Sequence, residues 1–304
     1  ERSMARAVLL ALPFFFGGLA IGYSLARFPD VAGRLYFANL AGSGVGSLLI
    51  LGVGGRLSEA GLVAFAAFIG FLAAACFTRA RSGPTILGLV ISLIISVHPP
   101  ALWEIRMSPY KSLSSALRFP GARVLEVRRN AFSRVDIIES GMVRYAPGLS
   151  YLYPKPIPPQ RGIAIDGGNL TGVTEFRGRM EDVEFVRYLP ASLPYKVLEA
   201  REGTSGSRAG LGRGVEVLVL QAGGGLDVLT AIYNGAGRVV AVEENPLVVA
   251  AMRGVLAGFS GGLYLRPEVT VGAEGIRSFV GRARKIGEKF DVVAISLVDP
   301  FGPT

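Results

Sequence analysis

Residues 217–246 read Val-Leu-Val-Leu-Gln-Ala-Gly-Gly-Gly-Leu-Asp, then a helical stretch, then Arg238-Val-Val-Ala-Val-Glu-Glu-Asn-Pro. The order is strand, glycine turn, helix, and a strand ending in a carboxylate, which is half of a nucleotide-binding α/β fold. Gly223, Gly224 and Gly225 allow a sharp turn and a close approach to a ligand. Glu243 follows at the spacing where a carboxylate accepts both hydroxyls of a ribose. The run lacks the third glycine of the dinucleotide fingerprint and carries Asp227 where a helix N-terminus would otherwise hold a phosphate. An acid there suits a cationic ligand. S-adenosylmethionine and its decarboxylated form are such ligands, each with a sulfonium and an amine and without phosphate. The alternative is a glycine turn that closes an ordinary α/β unit.

Downstream, the pattern predicts helices at about 226–235 and 246–257 and strands at 238–242, 268–272 and 291–296. Such β-α-β alternation argues for a parallel, doubly wound sheet with its ligand at the carboxyl ends of the strands, where Glu243 and Glu274 fall. Either acid alone would also suit a solvated surface. Upstream, Arg123-Val-Leu-Glu-Val-Arg, Arg134-Val-Asp-Ile-Ile-Glu and Gly162-Ile-Ala-Ile-Asp alternate as short strands of a small antiparallel sheet. Pro154, Pro156, Pro158 and Pro159 mark an irregular loop, and Val183, Phe185, Val186 and Leu189 predict a helix over 180–193. A Gly/Ser-rich loop follows at 203–214.

The first hundred residues belong to a different solvent. Half of all residues are hydrophobic, yet charge is concentrated after residue 100. Runs at 5–26, 35–55, 59–78 and 84–98 are apolar and separated by short polar hinges. The first three are long enough to span a bilayer, and the fourth is marginal unless His98 and Trp103 lie in the interface. Four such runs in succession argue against a soluble bundle or a lone signal peptide. Gly18 and Gly22, and Gly42 and Gly46, have the spacing that lets helix backbones meet in lipid; Pro13 is expected to kink the first span.

Cys76 is the one cysteine and His98 the one histidine, so an intrachain disulfide, a metal-thiolate site and histidine acid/base chemistry have no candidates. No metal is expected. The net charge of +9 is spread as isolated arginines without interleaved aromatics, which favours attraction to a membrane surface over nucleic acid. Lysines and arginines following the last span place the soluble region in the cytoplasm, beneath the plasma (inner) membrane of a multi-pass protein.

Taken together, these segments resemble the spermidine synthase family of aminopropyltransferases, in particular its integral-membrane relatives. The resemblance rests on Ser108-Pro-Tyr-Lys, Arg129-Asn-Ala-Phe-Ser-Arg-Val-Asp, Ala146-Pro-Gly-Leu-Ser, Ile165-Asp-Gly, the Gly223–Gly225 turn, Val242-Glu243, Ala273-Glu-Gly and Asp299-Pro-Phe-Gly-Pro. In the membrane half it rests on Tyr36-Phe-Ala-Asn-Leu-Ala-Gly-Ser-Gly-Val-Gly. It implies a transmembrane helical region over 1–104 of about four spans, a small β-rich domain over 105–178, and a Rossmann-like, methyltransferase-type domain over 179–304 that stops after its fourth strand. The chain opens on Glu1 and ends at Thr304, and reads as a piece of a longer protein.

The resemblance further implies that Glu243 holds the ribose, Glu274 the adenine amino group, and the 223–227 turn, with Asp227, the aminopropyl or methionine portion. Asp166 would sit near an acceptor amine. Ser296 stands where the family carries its proton-accepting carboxylate, leaving Asp299 as the nearest acid, and serine is no base near neutral pH. Lys111 stands where a glutamine is expected, and the tyrosine-rich acceptor segment is replaced around Glu181–Glu184. The leading expectation is aminopropyl transfer from decarboxylated S-adenosylmethionine to a small-molecule amine. The alternatives are an S-adenosylmethionine-dependent methyltransferase acting on a membrane-near acceptor, and a non-catalytic metabolite-sensing or transport-linked membrane protein. Expected partners are a lipid bilayer and, in the family's manner, a second copy as homodimer, with no nucleic acid.

Overall fold

A computed structural model describes residues 2–77, 82–103, 107–201 and 214–295. The chain divides into two compact units, Glu1–Trp103 and Glu104–Thr304.

In the first unit all four apolar runs are helical: α1 (Arg2–Arg27), α2 (Ala32–Val53), α3 (Glu59–Phe77) and α4 (Gly83–Val97). Pro13 lies inside α1 without ending it. Among the described residues, Pro29–Val53 and Glu59–Phe77 are long and apolar enough to cross a membrane, with mean hydropathy 1.5 and 2.3. The expectation of about four spans is thereby reduced to two by length and hydropathy. The 15 residues of α4 rise only about 22 Å at about 1.5 Å per residue, short of a hydrocarbon core of about 30 Å.

The glycine contacts also differ from expectation. Nothing lies within 4 Å of the Cβ positions of Gly18, Gly22, Gly42 or Gly46. Close approach is made instead between α3 and α4, where a Cβ on Gly61 would stand 2.5 Å from the Ser96 carbonyl oxygen and one on Gly88 2.4 Å from the Phe71 ring. Ala60, Ala64, Ser92 and Ser96 are buried at this contact-rich pair. Both serine hydroxyls donate to carbonyls of their own helix, Ser92 to Gly88 at 2.6 Å and Ser96 to Leu93 at 2.8 Å, so no polar group is left unpaired by the packing.

The second unit contains two sheets. The first is antiparallel, in the order β1 (Arg123–Arg129), β2 (Arg134–Glu139), β3 (Gln160–Ile165), β4 (Gly168–Thr174), preceded by the short α5 (Ser112–Ala116). Strand β4, Gly-Asn-Leu-Thr-Gly-Val-Thr, was not anticipated because two glycines and an asparagine lower its strand propensity. It forms because Asp166 and Gly167, both at positive φ, fold the chain back in a tight hairpin. The helix expected over 180–193 is a 3-10 segment, Met180–Tyr188, broken at Val183, and a second 3-10 turn, Pro190–Ser192, leads into α6 (Leu193–Arg201). Val183, Phe185 and Val186 are nonetheless buried, so the apolar spacing reported a core face rather than an α-helical turn. The loop expected at 203–214 lies almost wholly outside the described residues.

The parallel sheet follows the sequence reading. It comprises β5 (Val215–Leu220), α7 (Leu226–Tyr233), β6 (Ala236–Glu243), α8 (Pro246–Arg253), β7 (Val269–Ala273), α9 (Ile276–Ile286) and β8 (Val292–Ile295), in the strand order β7-β6-β5-β8 with every pairing parallel. Helices α7 and α8 join Val217, Val219, Val239 and Ala241 in one core, which continues into Val135, Ile137, Ile163 and Val173 of the antiparallel sheet. Helix α9, which the sequence reading passed over, covers Leu218, Leu220, Val240 and Val242 on the opposite face with Phe279 and Ala283. Each of the valine, leucine, isoleucine and phenylalanine side chains among these contributes about 1.5–3 kcal/mol on burial, which holds the carboxyl edge of β5, β6 and β7 in place. The strand order reverses between β5 and β8, and the glycine turn lies at that point.

Candidate functional site

The turn after β5 begins with Gln221, a non-glycine residue at φ +58°, and passes through Gly223 at +49° and Gly225 at +84°, which caps α7. Its glycines have different reasons. A Cβ on Gly224 would stand 2.5 Å from the Gly172 carbonyl oxygen of β4, and one on Gly225 2.6 Å from the Leu263 side chain. Close packing of the chain on itself therefore accounts for two of the three, while Gly223 meets only ordinary contacts, the nearest being Thr171 at 3.5 Å.

Glu243, the last residue of β6, is 7% exposed. Its Oε2 accepts from the Gly223 N–H at 2.8 Å and its Oε1 from the Asn245 N–H at 2.9 Å. Burial raises its pKa above the ordinary glutamate value, and the two backbone N–H groups oppose that shift. The buried Tyr264 hydroxyl donates to the Gly223 carbonyl at 2.8 Å, so both peptide groups of Gly223 are held from opposite sides. The Glu244 N–H also favours the Glu243 carboxylate, and of its roughly four lone-pair sites these three donors leave about one for a ligand hydroxyl.

Glu243 pairs in register with Ala273, so Glu274 lies one residue beyond the end of the adjacent strand. Both Glu274 oxygens accept from the Arg282 guanidinium, at 2.7 and 2.6 Å. Glu244 serves structure: its Oε1 accepts from the first amide of α9, that of Ile276, at 3.0 Å. Asp227 sits in the first turn of α7, where a negative charge also complements the helix dipole. Burial first, and the Asp227 charge second, raise the pKa of both Tyr145 and Tyr195. For Tyr264, burial, then Glu243 and then Asp227 act in the same direction. The Asp227 charge thus adds to burial in keeping three tyrosines neutral.

Asp166, which the resemblance sets near an acceptor amine, has partners within the small sheet. It is a residue of the β3–β4 hairpin, its Oδ1 accepts from the Arg134 N–H at 2.8 Å, and Lys111 Nζ donates to its carbonyl. Its carboxylate ties the β3–β4 hairpin to the start of β2. Ser296 and Asp299 lie outside the described residues. Among the described residues, no group of three or more His, Cys, Asp or Glu side chains could hold a metal ion.

The sequence reading missed the residues that steady the rim. Asn245 caps α8 by accepting from the Leu247 N–H at 3.0 Å and donates to Ser133 Oγ at 3.0 Å. Ser133 belongs to the β1–β2 turn, where Asn130 Oδ1 accepts from the N–H groups of Phe132 and Ser133. The segment Arg129-Asn-Ala-Phe-Ser-Arg-Val-Asp therefore builds a turn that ties the small sheet to the strand end carrying Glu243. Its last residue, Asp136, is fully buried against the Arg134 guanidinium at 2.7 Å.

No protein-family model matches the chain, and no curated protein matches it either. Solved structures that are similar in part include a spermidine synthase in complex with the transition-state analogue AdoDATO and the spermidine synthase of Thermotoga maritima. Each is 20% identical, with a TM-score of 0.34; they cover 58% and 57% of this chain, and 48% and 47% of their own. The chain thus spans about half the length of these enzymes.

Proposed function

We propose that the chain is a membrane-anchored, spermidine-synthase-like transferase that binds decarboxylated S-adenosylmethionine and passes its aminopropyl group to an amine. The apolar N-terminal helices are the anchor, with the second unit on the cytoplasmic side. The observation that supports this most is the arrangement of carboxylates around the glycine turn: Glu243 and Glu274 at the ends of adjacent parallel strands, and Asp227 in the first turn of α7. Glu243 fits a ribose, because its oxygens are fixed by backbone N–H groups and retain acceptor capacity. Glu274, oriented by Arg282, is an acceptor for an exocyclic amine. Asp227 fits a cation and disfavours the carboxylate that distinguishes the methionine form from the decarboxylated one.

Bound there, the cofactor would supply an electrophilic carbon on its sulfonium. The attacking amine must be neutral, and an alkylamine has a pKa near about 10, so a base must accept its proton as the new C–N bond forms and the C–S bond breaks. With serine at position 296, Asp299 and Asp227 are the acids left for that role. The reading is tested by incubating the full chain with decarboxylated S-adenosylmethionine and a panel of amines and following methylthioadenosine by mass spectrometry. Amine-dependent release supports it, and a bound cofactor that no amine discharges overturns it.

A further inference from the structure

We propose that the outer face of α9 is a docking surface for anionic lipid headgroups. Arg277, Arg284 and Lys285 are exposed there and Lys289 just past the end of the helix, and among the described residues none of the four has a carboxylate partner. They contrast with Arg123, Arg128, Arg134, Arg161, Arg177, Arg179, Arg238, Arg266 and Arg282, which are ion-paired. The acids nearest in sequence are already engaged: Glu274 by Arg282, Glu288 by Arg238, and Asp291 by the Glu216 N–H.

Helix stability explains only part of this charge. Arg284 and Lys285 lie in the last turn, where cations complement the helix dipole. Arg277 lies in the first turn, where a cation opposes the dipole; the Glu244 carboxylate at that end is engaged by the Ile276 N–H. Arg277, Gly281, Arg284 and Lys285 recur at the spacing of one helical face, opposite the buried Phe279 and Ala283. Gly281, which has nothing within 4 Å of its Cβ position, adds no side chain to this basic face. Val280 and Ile286 remain 44% and 69% exposed on the same helix. A basic helix with exposed apolar residues fits the interface of an anionic bilayer. The same chain holds two helices long and apolar enough to enter one. The inference is independent of the transfer chemistry.

The test uses the full chain with Cys76→Ser and Ser278→Cys, labelled at the new thiol with an environment-sensitive fluorophore. It is reconstituted into phosphatidylcholine vesicles with or without phosphatidylglycerol. The label should report the bilayer interface only with phosphatidylglycerol and return to an aqueous signal at high salt. Each of Arg277→Gln, Arg284→Gln and Lys285→Gln should lower the ratio of docked to free α9 about fivefold, from about 1 kcal/mol per cation. Salt reversal in the unsubstituted helix keeps the test valid if a variant misfolds. An aqueous signal in every lipid, or a response to a DNA duplex but not to phosphatidylglycerol, overturns the proposal.

Discussion

The carboxylate of Glu243 and the backbone N–H of Gly223 are joined by a 2.8 Å hydrogen bond that ties the end of β6 to the turn after β5. The bond makes the acid and the glycine turn one unit, and Tyr264 closes it from the other side through the Gly223 carbonyl. Replacing Tyr264 with Phe would leave that carbonyl without its buried donor. The expected cost is about 1–2 kcal/mol in chemical denaturation, together with weaker nucleoside binding. A variant as stable as the parent would show that water or another donor serves the carbonyl equally well.

Gly224→Ala should be damaging, since Gly224 is buried against β4. Its Cβ would meet the Gly172 carbonyl at 2.5 Å, a contact between two backbones with no flexible side chain to yield. A loss of about 1–3 kcal/mol is expected from the overpacking. Gly223→Ala meets its nearest contact at 3.5 Å and costs only its left-handed backbone. Melting curves of the two variants side by side should therefore place Gly224→Ala lower.

These two glycines show what the sequence disclosed and what it withheld. The turn, its strand and Glu243 were legible because glycine runs and terminal carboxylates have local meaning, and the parallel sheet followed from alternation of strand and helix. That β4 presses on Gly224 was not legible, because the contact joins residues 172 and 224 across two sheets. The part of Arg129–Asp136 in steadying Glu243 was hidden for the same reason. The hairpin at Asp166 was not legible, because Asp-Gly is the chemistry of a turn as readily as of a binding site. Helix α9 was overlooked although Ile276, Phe279 and Ala283 carry helical spacing, and with it the Arg282 partner of Glu274.

The raised pKa of Glu243 has a signed consequence for stability. Between 4.5, its ordinary value, and its higher native value, the folded chain holds a proton that the unfolded chain releases. Stability contributed by this group therefore falls as pH rises through that interval and is level above it. Glu243→Gln should remove this slope. Urea midpoints measured across the interval for both proteins check it, the difference in slope being the readout; parallel profiles would contradict the burial-driven shift.

In the first unit, Gly61→Ala would force a methyl group to 2.5 Å from the Ser96 carbonyl, whereas Gly42→Ala and Gly46→Ala enter open space. Thermal stability in detergent should drop for Gly61→Ala and stay near the parent for the other two. The reverse order would mean that α2 makes its close contacts with another chain.

The central claim is that Glu243 and the glycine turn hold the adenosyl part of a cationic cofactor, and calorimetric titration of the full-length protein in detergent tests it most directly. Decarboxylated S-adenosylmethionine and methylthioadenosine should both bind, and Glu243→Ala should weaken each by about 1.5–3 kcal/mol, the scale of charge-assisted hydrogen bonds. Equal affinity in the parent and in Glu243→Ala, or no heat of binding from either ligand in the parent, would contradict the account.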